Sequence, residues 1–257
     1  MVMNGDWIFD CGNTTVKWAV FRKEATEPIL MGRNLQEAFN HFFKHETGNN
    51  PRILIAASGR VPVALSTWFK QQRDVHHLYP GHDTGVPMDY DSPETLGLDR
   101  IANAAEARTK CPSGPALILD VGTCLTFDWM VDGVFCGGSI SPGLDMRLQA
   151  MAKMTASLPH VGAAGHRPTT TDIGRTTSES MRIGAWAGLQ AEINGRVNDF
   201  GKVWPDLSVF LTGGNANHLQ LPKQYRIFAD PMLTLKGFRA ILKHIANHKP
   251  QTGASFS

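Results

Sequence analysis

Two short segments of this chain carry the same pattern of chemistry-bearing residues. Asp10-Cys11-Gly12-Asn13-Thr14 follows the apolar pair Ile8-Phe9, and Asp120-Val121-Gly122-Thr123-Cys124 follows Ile118-Leu119. Each reads as an apolar strand, then Asp-x-Gly, then a small polar residue, then a second strand. Glycine permits a turn whose backbone N–H groups approach a phosphate oxygen closely, because it takes positive φ or close approach without steric cost. Asn13, Thr14 and Thr123 add hydrogen-bond donors, and Lys17 adds a cation within reach of a terminal phosphate. Asp10 and Asp120 stand at strand ends, where a carboxylate can hold a cation directly or through water. Either segment alone reads more readily as an ordinary hairpin with Asp and Gly turn chemistry. Two of them, each opening one half of the chain and one accompanied by Lys17, favour a duplicated unit that binds a nucleoside triphosphate.

Two further segments complete the set. Asp99, in Gly97-Leu98-Asp99-Arg100, stands where a helix begins. It is there either a helix cap or a carboxylate placed to accept a proton from a reacting hydroxyl. Arg100 beside it suits an anionic ligand, or is a solvated surface side chain. Gly213 and Gly214 follow an apolar strand and would let the backbone approach a nucleoside; they also serve as a plain strand-to-helix turn.

The elements that hold these residues follow from periodicity. Trp7–Phe21 reads strand, turn, strand, as does Ala116–Val131, and Arg52–Ala57 is a short apolar strand. Helical spacing marks Leu35–Phe43, Pro62–Gln72, Asp99–Lys110, Leu144–Met154 and a final helix around Leu235–Ile245. Met181, Ala185, Leu189, Ile193 and Val197 form the stripe of an amphipathic helix. Gly81–Pro93 and Ala156–Thr171 read as loops. The break at Cys111-Pro112-Ser113-Gly114-Pro115 places a domain boundary there, giving halves 1–114 and 115–257.

Composition narrows the function classes. The chain has 257 residues, 42% hydrophobic and 19% charged, enough for two ordinary globular domains. A formal net charge of +2, with no block of like charges, argues against nucleic acid or a membrane surface as partner. No segment has the length of a membrane span, and the start of the chain lacks the basic-then-apolar pattern of a signal peptide, so the expected location is the cytoplasm. The four cysteines show no C-x-x-C spacing, which speaks against zinc. His76 and His77 are adjacent on a strand and face opposite ways, and the six tryptophans read as core or interface residues.

Asp10-x-Gly12-Asn13-Thr14-x-x-Lys17, Asp120-x-Gly122-Thr123 and Thr212-Gly213-Gly214 together resemble the actin, Hsp70 and sugar-kinase superfamily. Within it, Tyr90-x-x-Pro93-x-x-Leu96-Gly97-x-Asp99-Arg100, Thr126-x-Asp128, Gly137-Gly138-Ser139-Ile140-x-Pro142-Gly143 and Gly174-Arg175-Thr176-Thr177 resemble type III pantothenate kinase. Cys124 and Thr176 depart from the family pattern, which more often has a small residue such as Ala and an Asn there, without a change of charge. The resemblance implies an α/β fold of two duplicated RNase-H-like domains, each a mixed sheet flanked by helices, with a nucleotide cleft between them. It implies ATP-dependent phosphorylation of pantothenate, the first step toward coenzyme A, with Asp99 as general base. It implies ATP and phosphate contacts from Asp10, Gly12, Asn13, Thr14, Lys17, Gly122, Thr123, Gly213 and Gly214. Substrate contacts would come from Tyr90, Gly97, Asp99, Arg100 and Thr177. Asp120 would hold a monovalent cation, potassium or ammonium, and Asp10 would hold Mg²⁺ through water. The resemblance also implies a homodimer, for which the Met181–Val197 helix is a candidate interface element. The rival readings are a kinase for another small hydroxyl compound and a nucleotide-binding regulator without chemistry. The Tyr90–Arg100 segment weighs against the first, and the joint presence of Asp10, Lys17 and Asp99 against the second.

Overall fold

The computed structural model describes residues 5–12, 15–45, 51–58, 60–163, 169 and 171–248. The chain divides into two compact units. The first holds β1 (Gly5–Cys11), β2 (Val16–Arg22), β3 (Leu30–Gly32), α1 (Leu35–His45), β4 (Arg52–Ala57), α2 (Val63–Phe69), β5 (Val75–Leu78) and α3 (Leu98–Lys110). Its sheet has the order β3-β2-β1-β4-β5, with β2 antiparallel to both neighbours and β1, β4 and β5 parallel.

The second unit holds β6 (Pro115–Val121), β7 (Cys124–Val131), β8 (Val134–Pro142), α4 (Leu144–Met154), α5 (Thr177–Val203), β9 (Ser208–Thr212) and β10 (Arg226–Ala229). Its order, β10-β9-β6-β7-β8, repeats the first sheet strand for strand, with β6 in the place of β1 and the same strand directions. The strands β1 and β6 even share one burial pattern, covered throughout except at Asp10 and Asp120. A central strand with parallel pairing is buried on both faces, which is why both read as continuous apolar runs. These are the two duplicated RNase-H-like halves that the resemblance implies.

Each unit has its own core. In the first, Trp7 stacks on Trp18 at 6.1 Å, and Trp68 meets Phe42 edge-on at 4.5 Å, a packing geometry favoured by the aromatic quadrupole. In the second, the stripe Met181, Ala185, Leu189, Ile193 and Val197 of α5 is buried against Leu117, Leu119 and Phe127 of the sheet. That stripe serves its own unit's core, so the expectation of an interface on this helix no longer rests on it.

The division differs from the expected halves in two respects: the first boundary falls between Thr109 and Lys110 rather than after 114, and the end of the chain returns to the first unit. The last helix, α6 (Leu233–Asn247), packs with the first unit, and the second ends at Pro231. Specific contacts hold it there. The Thr234 hydroxyl donates to Asn103 of α3 at 2.8 Å, and Lys236 pairs with Glu27 at 2.5 Å. A Cβ at Gly237 would stand 1.7 Å from the Ala102 carbonyl oxygen, so glycine is what lets α6 and α3 cross. Arg239 reaches Asp6 of β1 at 3.1 Å. Strands β3, β8 and β10 lie outside the expected elements. In β8, Gly137, Gly138 and Pro142 weaken the local strand signal, and pairing with β7 overrides it.

Candidate active site

In the second unit, three backbone corners meet at the β6–β7 turn. The Gly122 N–H donates to the Cys124 carbonyl at 3.0 Å, closing the turn tightly. At the β8–α4 corner, the Gly143 N–H donates to the Thr123 carbonyl at 3.1 Å. A Cβ at Gly143 would stand 2.3 Å from the Gly122 oxygen. At the exit of β9, Gly213 has φ +99°, and a Cβ there would meet the Val121 nitrogen at 2.4 Å and Asp120 Oδ1 at 2.6 Å. The Asn215 N–H donates to the Val121 carbonyl at 3.1 Å. Gly122, Thr123 and Gly213 are thus brought together around Asp120, with Gly214 next in chain and open space where its Cβ would stand.

Asp120 lies opposite Thr126 in the β6–β7 ladder and beside Thr212 in the β6–β9 ladder. Residues in register share a face, so a carboxylate and two hydroxyls line one side of the sheet here. Asp128, two residues along β7 on that same face, is fully buried.

The first unit builds the matching turn. The Gly12 N–H donates to the Thr15 carbonyl at 3.1 Å. The Ser58 N–H, at the exit of β4, donates to the Cys11 carbonyl at 3.2 Å, the counterpart of the Asn215–Val121 bond. Asn13 and Thr14 fall outside the described residues. Asp10 is directly opposite Lys17 in the β1–β2 ladder, which puts carboxylate and ammonium on one face. Between Asp10 and Gly12, burial and then the Asp10 charge push the Cys11 thiol up to about 11, so it stays protonated and inert.

The segment before α3 carries the remaining first-unit residues. Tyr90 is half-buried. Gly97 accepts the Ile101 N–H at 3.2 Å, and a Cβ there would stand 2.7 Å from Asp99 Oδ1. Asp99 is the second residue of α3, exposed, and its Oδ1 accepts the next N–H, that of Arg100, at 2.9 Å. It therefore sits in the first turn of the helix, where its carboxylate takes up one of the N–H groups that the turn leaves free. Arg100 is buried, with 7% of its surface exposed, so the solvated-surface alternative for it fails.

Thr177 opens α5 and is exposed. Thr176 caps the helix: its hydroxyl accepts the Glu179 N–H at 3.2 Å, while the Glu179 carboxylate accepts the N–H groups of Arg175 and Thr176 at 2.9 and 3.1 Å. Those bonds, the one from Arg175 first, hold the Glu179 carboxyl below its ordinary range. Thr at the position where the family more often has Asn keeps the cap, since both side chains accept in the same way. Sequence reasoning passed over Gly143 as a site residue. Its signal was present as Pro142-Gly143 just before a helix.

A family model described as type III pantothenate kinase matches residues 7–199. A type III pantothenate kinase of Phocaeicola vulgatus is 32% identical over 252 residues, covering 92% of this chain and 97% of that protein. The chain belongs to the type III pantothenate kinase family. Another type III pantothenate kinase, from Bacteroides fragilis strain YCH46, is 34% identical over 248 residues with the same coverage. The span matched by the family model takes in both Asp-x-Gly turns, the Tyr90–Arg100 segment and most of α5. Among solved structures, a proposed 2-dehydro-3-deoxygalactonokinase from Sinorhizobium meliloti superposes with TM-score 0.56 at 14% identity, covering 93% of this chain and 98% of that one. A Campylobacter jejuni protein assigned to the Baf family of transcriptional activators gives 0.52 at 17% identity, covering 94% and 99%. At these identities the likeness is one of fold.

Proposed function

We propose that this protein transfers the terminal phosphoryl group of ATP to the primary hydroxyl of pantothenate, giving 4′-phosphopantothenate, the first step toward coenzyme A. The observation that carries this is the duplicated Asp-x-Gly turn, set at the same strand of two matching sheets, in a member of a pantothenate kinase family. In this reading the backbone N–H groups and hydroxyls of Gly12, Asn13, Thr14, Gly122 and Thr123 hold the phosphates, with Lys17 neutralising charge on the terminal ones. Gly213 and Gly214 admit the nucleoside. Tyr90, Gly97, Arg100 and Thr177 hold pantothenate, the guanidinium matching its carboxylate. Asp99 accepts the hydroxyl proton as the oxygen attacks phosphorus.

Asp10, paired in register with Lys17, suits a water-mediated rather than a direct bond to Mg²⁺. Asp10 would hold the metal through water, and the ion would supply positive charge against the negative charge that develops on the phosphates. The carboxylate of Asp120 with the hydroxyls of Thr126 and Thr212 is an oxygen set fit for a hard monovalent cation. We further place the protein in the cytoplasm as a homodimer. Among the described residues no helix is long and apolar enough to cross a membrane, and Ile140, Met154 and Ile173 of the second unit are largely exposed apolar side chains a second copy would cover.

The test is ADP release from purified protein with ATP, Mg²⁺ and potassium, with and without pantothenate, and sedimentation of the same sample. Strong stimulation with 4′-phosphopantothenate as product is expected. ATP binding without stimulation overturns the substrate, and a monomeric mass under assay conditions overturns the dimer. Asp120→Ala should flatten the dependence of rate on potassium. A titration curve unchanged from the parent removes Asp120 from that role.

A further inference from the structure

Glu192, in the middle of α5, lies outside every motif considered so far, yet its carboxylate ends a chain of contacts that leads to the β6–β7 turn. Its Oε1 accepts the Ser141 hydroxyl at 2.7 Å, and its Oε2 pairs with the Arg147 guanidinium. Ser141 and Arg147 flank Pro142-Gly143. Arg147 Nε also donates to the Pro142 carbonyl at 2.8 Å, and its own N–H donates to the Gly143 carbonyl at 3.0 Å. Gly188, one turn earlier on α5, lies beside the same guanidinium: a Cβ there would meet Arg147 Nη1 at 3.6 Å, an ordinary van der Waals contact. The corner fixed in this way is the one whose Gly143 N–H is bonded to Thr123 and whose Cα packs on the Gly122 oxygen. The side chains of the pair are 21% and 26% exposed, sheltered enough for the ion pair to hold one geometry.

We propose that Glu192 is a positioning residue for nucleotide binding: through Ser141 and Arg147 it sets the β8–α4 corner, and the corner sets the Gly122-Thr123 turn that receives phosphate. The inference rests on the reading of that turn as a phosphate site. Removing the carboxylate frees the corner on both sides of Pro142 and leaves a guanidinium without its anion. The turn then samples geometries in which its N–H groups no longer converge, and ATP binding weakens. The pantothenate contacts proposed for Tyr90, Gly97 and Arg100 belong to the other unit and do not depend on this corner; the fourth, Thr177, lies about four turns from Glu192 at the start of α5, where the Thr176 cap holds it.

The experiment compares Glu192→Ala, Glu192→Gln and Thr123→Ala with the parent enzyme, reading KM for ATP, KM for pantothenate and thermal midpoint. Glu192→Ala should raise KM for ATP about tenfold, a loss of the size left by an unpaired partly buried group, with KM for pantothenate within about twofold. Glutamine can still accept from Arg147 and donate to the Ser141 hydroxyl, so Glu192→Gln should restore most of the affinity. An unchanged KM for ATP in Glu192→Ala, beside a raised one in Thr123→Ala, overturns the positioning role and keeps the phosphate turn. A rise in both KM values together, or a fall in thermal midpoint alone, marks Glu192 as merely structural and overturns it too. No effect of Thr123→Ala on ATP defeats the phosphate reading, and the inference with it.

Discussion

Replacing Asp99 by asparagine should lower turnover by about 10²-fold or more while ATP binding stays close to that of the parent. The substitution is nearly isosteric. The asparagine oxygen can still accept the Arg100 N–H that Asp99 Oδ1 accepts at 2.9 Å, so the first turn of α3 keeps its local bond. Arg100, buried at 7% exposure, continues to anchor the segment. Because Asp99 itself is exposed, the change removes no core contact. What is lost is the proton-accepting role proposed for Asp99 toward the attacking hydroxyl. An alcohol keeps its proton at neutral pH, so without an acceptor the nucleophile is weaker just as its bond to phosphorus forms. The measurement is kcat under saturating ATP and pantothenate, with ATP affinity measured separately by equilibrium binding. Turnover equal to the parent would remove Asp99 as the base. A parallel loss of ATP affinity would reassign it to nucleotide binding.

The contrast between what the sequence revealed and what it hid follows from the range of the interactions. The two Asp-x-Gly turns were legible because turn chemistry is local: glycine and a small polar residue at fixed offsets after an apolar strand leave few alternatives. The α5 stripe was legible because one buried helix face imposes its own period. The membership of α6 was not, since its periodicity says which face is buried and nothing about which sheet receives it. The contacts that decide this, Thr234 with Asn103 and Arg239 with Asp6, join residues 131 and 233 positions apart. At the candidate site the same division holds. Residues that would touch phosphate announce themselves by type, as Gly122 and Thr123 do. Of those that hold the turn in place, Gly143 shows only as a glycine before a helix, and Glu192 is an ordinary residue until the corner is seen to press on the turn.

The largest stability effect should come from Asp6, a residue with no part in the chemistry. Asp6→Ala is expected to cost about 3–5 kcal/mol, the range for breaking a buried ion pair from one side. Asp6 is 2% exposed and Arg239 4%. Oδ1 accepts Arg52 Nε at 2.8 Å, and Oδ2 accepts Arg239 Nε at 3.1 Å, so one carboxylate on β1 answers guanidinium groups from β4 and α6. The other Arg239 nitrogens are committed to the carbonyls of Arg22, Lys23 and Ala25, and its guanidinium lies 4.8 Å over the Phe21 ring. With so many partners Arg239 cannot swing out to water when Asp6 is removed, so its charge stays buried and uncompensated. That desolvation, rather than the lost attraction, sets the size of the effect. Asp199→Ala provides the contrast. Its pair with Lys202 has side chains 73% and 75% exposed, and its loss should leave stability unchanged. Urea unfolding followed by tryptophan fluorescence reads both: Trp7 and Trp18 stack in the first unit on the strand pair that Asp6 helps anchor, and Trp204 stacks on Phe200, next in chain to Asp199, in the second. A large drop in the midpoint for Asp6→Ala alone is the expected pattern. Midpoints that match the parent would show that α6 is held to the first sheet by its apolar face and Gly237, with the ion network adding nothing net.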